Sequence, residues 1–282
     1  GLAKDAGSIL SLNMVLLGAC VANDDFPLSK ETVETAMKNN LAPKFHEMNL
    51  KAIENGYNAI YAFGHSSDTK LRNTNVVIDS NIFENQANAA VLLSYVNDVE
   101  VSHNIVNQYD TLQNNVSRGY RIVDSKNVQI VGNRIKYDKY KGEGYGLDLD
   151  ITEGLVANNE IRLNVKNTTG ICRGIYMLKS TNIYVVHNSV YMEGFTTREA
   201  VGLQVNSSSQ LRENQFLTIS KNILVNKVNT SETSTAMLLR RADTLYRINN
   251  NVYSSDNVGC IGELINNTIS IINYSALSDW SA

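Results

Sequence analysis

Short runs of alternating apolar and polar residues, each broken at an asparagine, recur along most of the chain. The clearest is Thr181–Met192, which reads as a strand, a bend at Asn188 and a second strand. Sister segments bend at Asn81, Asn104, Asn133, Asn159, Asn222 and Asn251. Along the whole series the intervals are 23, 29, 26, 29, 34 and 29 residues. Repeats of this length mark a solenoid or an array. Each unit holds further apolar runs: Gly174–Ser180 precedes the Thr181 strand, and Val190–Met192 follows the bend. Three short strands per unit, two short turns and one variable loop describe one coil of a parallel β-helix. Coils of this kind stack at the inter-strand spacing of roughly 4.8 Å. Asparagine tolerates the left-handed conformation that a sharp bend needs. Stacked asparagine amides can also bond from coil to coil. The seven asparagines are therefore read as structural, with Asn at the bend itself.

The first sixty residues break the pattern. Ile9, Leu12, Val15, Leu16 and Ala19 recur at helical spacing. Ser29 has the chemistry of an N-cap for a helix over 30–39, with Glu31 in its first turn. Pro43 suits the first turn of a further helix and Gly56 its end. On that helix Phe45, Met48, Ala52 and Ile53 are expected to share a face. The predicted organisation is a helical segment over 1–60 and an all-β solenoid over 61–282. The solenoid is expected to be a single right-handed parallel β-helix of about 7–8 coils. An open first coil needs cover, so part of the helical segment is expected to act as its cap.

Composition narrows this picture only a little. With 282 residues and 43% hydrophobic content the chain can bury a sizeable core. A formal net charge of -3 gives no broad electrostatic case for nucleic acid. No run reaches the roughly 18 apolar residues of a membrane span. Both prolines, Pro27 and Pro43, lie in the helical part, which marks a boundary. Cys20, Cys172 and Cys260 show no metal-ligand spacing and no disulfide framework. They are read as small buried hydrophobes. Ile9–Cys20 is apolar but lacks the basic flank of a signal peptide. The chain opens at Gly1 rather than Met, so a targeting signal is expected outside it, and a processed, truncated or chimeric origin is expected.

Two resemblances follow from particular residues. Asn13–Ala19, Pro27–Ser29, Pro43–Phe45 and Asn49–Gly56 resemble the C-terminal end of the small subunit of 2-oxoacid:ferredoxin oxidoreductases, the family of indolepyruvate oxidoreductase. That resemblance covers about a fifth of the chain and implies helical packing. It also implies a larger α/β body ahead of residue 1. Nothing in the segment matches a thiamine diphosphate or iron–sulfur site. Over about 70–280 the Asn-centred repeat resembles the right-handed parallel β-helix, or pectate-lyase-like, family. Tyr274, Leu277 and Trp280 look like the closing segment of secreted bacterial β-helix proteins.

Candidate chemistry lies on the strand before each bend and in the loops. Nine residues ahead of their asparagines stand Tyr95, Asp124, Asp150 and Lys179, expected to form one outward column. Asp148 should share a face with Asp150. Asp124, Asp148 and Asp150 are candidate ligands for a hard cation such as Ca²⁺, which takes several oxygen ligands. The β-helix resemblance implies Lys179 or Arg173 as base or charge stabiliser in β-elimination of an acidic polysaccharide. The plainer account is a half-exposed strand, with Asp150 and Lys179 as an ordinary charge pair. Tyr137, Tyr140 and Tyr145, together with Tyr120, are candidates for stacking on sugar rings. The longest insertions are read at 108–117, 137–146, 194–200, 207–215 and 226–235. His103 and His187 each precede a ladder asparagine and are read as turn residues. The expected function is a surface or secreted β-helix protein that binds carbohydrate or serves as a scaffold. Its expected partner is a polysaccharide or cell-surface glycan, and its expected location extracellular. The alternative is a polysaccharide lyase or hydrolase. A third reading is a fragment of a 2-oxoacid:ferredoxin oxidoreductase.

Overall fold

The computed structural model describes residues 6, 8, 11–21, 27–57, 60–66, 68, 72–86, 88–109, 116–138, 142–206, 216–232, 234–240, 245–255, 262–265 and 271–274. From Ile60 onward the chain winds as a parallel β-solenoid with three columns of stacked strands. One coil shows the plan: Cys172–Leu178 in the first column, Thr181–Val186 in the second and Ser189–Thr196 in the third. In two coils the first and second columns run together as single strands, Val116–Val131 and Glu143–Ala157. The third column is a sheet of seven parallel strands, so six coil-to-coil steps separate its ends. At the far end Gly262–Ile265 pairs antiparallel with Ile271–Tyr274. Residues 275–282, on which the proposed closing segment rests, lie outside the described residues.

Alternation makes the core. Val91, Tyr120, Leu147, Ile175, Leu203 and Met237 occupy one register position of successive first-column strands, and all are fully buried. Leu93, Ile122, Leu149, Met177, Val205 and Leu239 form the next inward row. Because like residues stack on like, each coil buries the same face against its neighbours and one apolar column runs through the molecule.

The asparagine ladder is continuous. Nδ2 of Asn81, Asn104, Asn133, Asn159, Asn188 and Asn222 each donates to Oδ1 of the next, ending at Asn251, at 2.9–3.1 Å. The same Oδ1 atoms accept from the preceding rung's backbone N–H. The bend itself is placed differently from expectation. The left-handed residue is the one before each asparagine: Ser80, His103, Gly132, Asn158, His187, Lys221 and Asn250 all have positive φ. The ladder asparagines do not. A rung must aim its amide along the solenoid axis, so the bend and the rung are divided between neighbours.

Glycines form a second column. Gly119, Gly146, Gly174 and Gly202 occupy equivalent places, and a Cβ on any of them would lie 2.4–2.5 Å from the carbonyl oxygen one coil on. Strand pairing skips these positions: Arg118 pairs with Tyr145, then Tyr120 with Leu147. Tyr120, the next residue in its strand, is fully buried.

The helical segment consists of α1 (Leu12–Val21), α2 (Lys30–Asn40) and α3 (His46–Tyr57), with a 3₁₀ turn at Pro43–Phe45. Ser29 caps α2 as expected, its hydroxyl accepting from the Thr32 N–H at 3.2 Å. Helices α1 and α3 press together where Gly18 lies against Ile53; a Cβ there would sit 2.0 Å from the Ile53 carbonyl oxygen. Val21, Val33 and Ile53 form one small cluster, and Ala6, Val15 and Ala52 another. Neither includes a residue of the solenoid core. A described tie to the first coil is Lys51, whose ammonium lies 4.9 Å from the Phe63 ring centre. Ala52 and Ile53 are buried as expected, but Phe45 and Leu16 are exposed. The two cysteines within the described residues differ: Cys172 is buried, whereas Cys20 is exposed.

Candidate functional site

The expected column of charged residues forms at the corner between the first and second strand columns. Tyr95, Asp124 and Lys179 each take the left-handed turn there, at φ values of 56°, 49° and 53°. Asp150 does not. The coil that carries it lacks the extra turn residue, so Asp150 falls in register with Val123 and the pairing slips across Asp124. Counting back from Asn159 therefore misplaces it by one position. The groups remain electrostatic neighbours. Burial raises the Asp150 carboxyl to about 6, Asp124 pushes the same way, and Lys179 and Arg121 oppose them. Asp124 also holds the Tyr95 hydroxyl above its ordinary range. Arg72 closes this corner, donating to the Asp124 carbonyl oxygen at 2.9 Å with its guanidinium 5.5 Å from the Tyr95 ring centre.

Asp148 belongs to a different network, on the outward side of the first column. Its Oδ2 accepts from Arg118 Nε at 2.7 Å and from Arg121. Arg118 also donates to Asn88 Oδ1 at 3.0 Å. One coil further on, Arg173 donates to Gln204, to the Tyr145 hydroxyl at 3.1 Å and to Glu199 at 3.0 Å. Arg240 shares Glu199. Tyr145 lies between the Arg118 and Arg173 guanidiniums, 5.3 and 5.6 Å from its ring centre. Arg173, Asp148, Glu199 and Tyr145 are all buried. Two carboxylates, Asp148 and Glu199, each bind two arginines from other coils, so the network reads as coil-to-coil fastening.

The expected site residues stand in different surroundings. Asp148 is held by two arginines, and Asp124, Asp148 and Asp150 do not converge on one point. Among the described residues no group of three or more His, Cys, Asp or Glu could hold a metal ion. Arg173 is buried and fully engaged, which leaves no free guanidinium for a base or charge stabiliser. Lys179 stays exposed on its turn. Tyr120 is entirely buried, its hydroxyl donating to Asn133 Oδ1 at 3.1 Å. Tyr137 is buried in the core as well. Neither can stack on a ligand from solvent. Tyr140 lies outside the described residues. Of the expected insertions, 226–235 is mostly strand, formed by Ile223–Thr230 and Ser234–Arg240. The stretch 207–215 lies outside the described residues.

Two features escaped the sequence reading. His103 Nδ1 bonds Asp79 Oδ1 at 2.8 Å across the first two coils, and Ser102 donates to the same oxygen at 2.7 Å. Together with Ser80 they hold Asp79 down at about 2. An open groove of about 670 Å³ also runs beside Asn158, Arg162, His187 and Tyr191. No expected site residue lines it. A ring next to a guanidinium, Tyr191 with Arg162 at 5.6 Å, is its most distinct feature.

Comparison with known proteins gives matches to the helical segment. Residues 1–59 match the family model described as pyruvate ferredoxin/flavodoxin oxidoreductase. The indolepyruvate oxidoreductase subunit IorB of Methanothermobacter thermautotrophicus is 45% identical over 58 residues, which is 21% of this chain and 30% of that protein. The subunit of the same name from Thermococcus kodakarensis is 38% identical over 58 residues, 21% of this chain and 29% of its own length. The chain thus spans about 30% of the length of the curated relatives it matches. No solved structure gives a significant match. These findings overturn the expected carbohydrate-binding, scaffold and polysaccharide-cleaving functions, and with them the glycan partner. They point instead to the 2-oxoacid:ferredoxin oxidoreductases.

Proposed function

We propose that the chain is a component of a 2-oxoacid:ferredoxin oxidoreductase. Residues 1–59 serve as the helical segment of an IorB-like subunit, and the solenoid from residue 60 is a module joined to it. The family match over 1–59 carries this reading. The packing agrees with a unit of separate origin, because the helices keep hydrophobic clusters apart from the solenoid core.

Among the described residues Cys20 and Cys172 stand in different structural units, the helical segment and the solenoid. In this reading the partners are oxidoreductase subunits with ferredoxin or flavodoxin, and the substrate class is 2-oxoacids such as indolepyruvate.

Size-exclusion chromatography of the purified chain with the companion subunit of the Methanothermobacter enzyme tests the proposal. Co-elution is expected, as is competition with authentic IorB for that subunit. Separate elution, under conditions where authentic IorB co-elutes, overturns it.

A further inference from the structure

We propose that copies of this chain stack end to end, the last coil of one solenoid seating on the first coil of the next. At the far end the first column turns back on itself, Gly262–Ile265 pairing antiparallel with Ile271–Tyr274. The second and third columns do not. They begin at Asn73–Asp79 and Ile82–Glu84 and finish at Leu245–Asn249 and Val252–Ser255. Each of these four strands pairs on one side only among the described strands. An edge strand presents a row of unpaired N–H and C=O groups, and the partner that satisfies such a row is another strand. The core is open at the same places. Val76 and Ile248 continue inward rows whose neighbours Val99 and Ile219 are buried, yet both are only partly covered.

The two ends match each other, which assigns the second copy as the occupant. The ladder has a direction, because each rung donates to the Oδ1 of the next. At its start the Asn81 Oδ1 accepts nothing among the described residues, and at its finish the Asn251 N–H has no further rung. Seating Asn251 against Asn81 of the next copy supplies the missing bond. The outward row beside the ladder is apolar at both ends, with Ile82 and Ile105 at the start and Ile223 and Val252 at the finish. Between them it is charged at Arg134 and Glu160. Ile82 is exposed to 66% and Val252 to 55%. A head-to-tail junction joins the four apolar residues into one continuous row. Charge agrees: the starting edge exposes Asp79 and Glu84, and the finishing edge exposes Arg247. Two starting edges brought together would instead set acceptor against acceptor and carboxylate against carboxylate.

A junction between unlike faces grows as an open chain of copies, and its two faces can be blocked separately. Ile82→Glu blocks the starting face and Val252→Glu the finishing face. Both positions are exposed, so both variants should keep the fold, which circular dichroism checks. Lysine at the same positions, a residue that guards strand edges, stands in for a variant that unfolds. In sedimentation velocity the mean mass of the wild-type full chain should rise about twofold or more between roughly 5 and 200 µM. Each variant alone should sediment as one chain. An equal mixture of the two should form a heterodimer and nothing larger, because one intact face of each kind remains. Wild type that stays a single chain over that range overturns the proposal. So does a mixture that stays monomeric, or a variant that assembles as wild type does. Assembly lost in Ile82→Glu but kept in Val252→Glu also overturns it, by assigning a head-to-head pair.

Discussion

The helical segment and the solenoid bury their apolar residues in opposite ways. Each solenoid coil presents the same inward rows to the coil above and the coil below, so burial is complete wherever neighbours exist. The helices meet mainly at one crossing, Gly18 on Ile53, and form two small clusters. Leu16, Leu28 and Phe45 remain outside them, exposed, and on the solenoid Val77, Ile82, Tyr184, Ile223 and Val252 are exposed as well. Both regions leave large apolar groups uncovered; what separates them is how the buried ones pack, in continuous rows in the solenoid and in two small clusters in the helical segment.

Substitution of a column glycine is the strongest way to break this contrast. Gly146→Val would push a side chain into the Gly174 carbonyl oxygen and Ile161, both 2.5 Å from the new Cβ. We expect a loss of about 3 kcal/mol, read as a lower urea midpoint of the solenoid transition. Gly18→Ala should disturb the helices instead and leave that transition where it is. If both substitutions shift one shared transition, the two regions are not separate units.

The ladder comes next. Asn133→Ala removes a buried rung: the Asn104 backbone N–H and the Tyr120 hydroxyl lose the Asn133 oxygen, while the Asn104 amide keeps the Ile78 carbonyl oxygen and the Asn159 oxygen keeps the residue 133 backbone N–H. A cost of about 2 kcal/mol is expected from unfolding curves. The same change at Asn81, the exposed first rung, should cost less than about 1 kcal/mol because water replaces the lost bond. Equal costs would mean that the ladder is not a buried feature.

A smaller effect separates the charged corner from the fastening network. The folded Asp150 carboxyl titrates at about 6, above its ordinary 3.8. The folded state therefore holds a proton that the unfolded state has lost, and stability falls as pH rises through that window. Asp150→Asn should stabilise the protein by about 1 kcal/mol at pH 7, an amount already reduced for solvent screening. The gain should vanish below pH 4, where both states carry the proton. A gain that is constant with pH would exclude the titration as its cause. Smallest of all, Leu16→Glu should leave the melting temperature within about a degree of wild type, since exposed positions rarely change stability by more than about 0.5 kcal/mol.

Much of the fold was legible because the solenoid is periodic. Seven asparagines at near-constant spacing announce stacked coils, and the ladder follows from their chemistry. The division of labour at each bend was not legible. Asn suits both a left-handed turn and a ladder rung, so composition cannot say which of two neighbours does which. The corner column failed in one place for a related reason. Counting from Asn159 assumes equal coils, and the coil with Asp150 is one residue shorter ahead of the bend. The burial of Tyr120 in the core is not marked by its local sequence. The Asp148 and Arg173 network joins residues about 30 positions apart, and no local pattern marks it.

The sequence by itself determined the repeat, the helical start, the asparagine column and the kinship of residues 1–59, because each depends on short-range spacing or on a contiguous run. Only the tertiary structure decided which side chains are free to act. Facing direction depends on strand register and on skipped positions, and partners such as Arg118 and Asp148 meet only when coils stack. Stacking made fastenings of Asp148 and Arg173, buried Tyr120 and Tyr137 in the core and left Lys179 exposed on its turn.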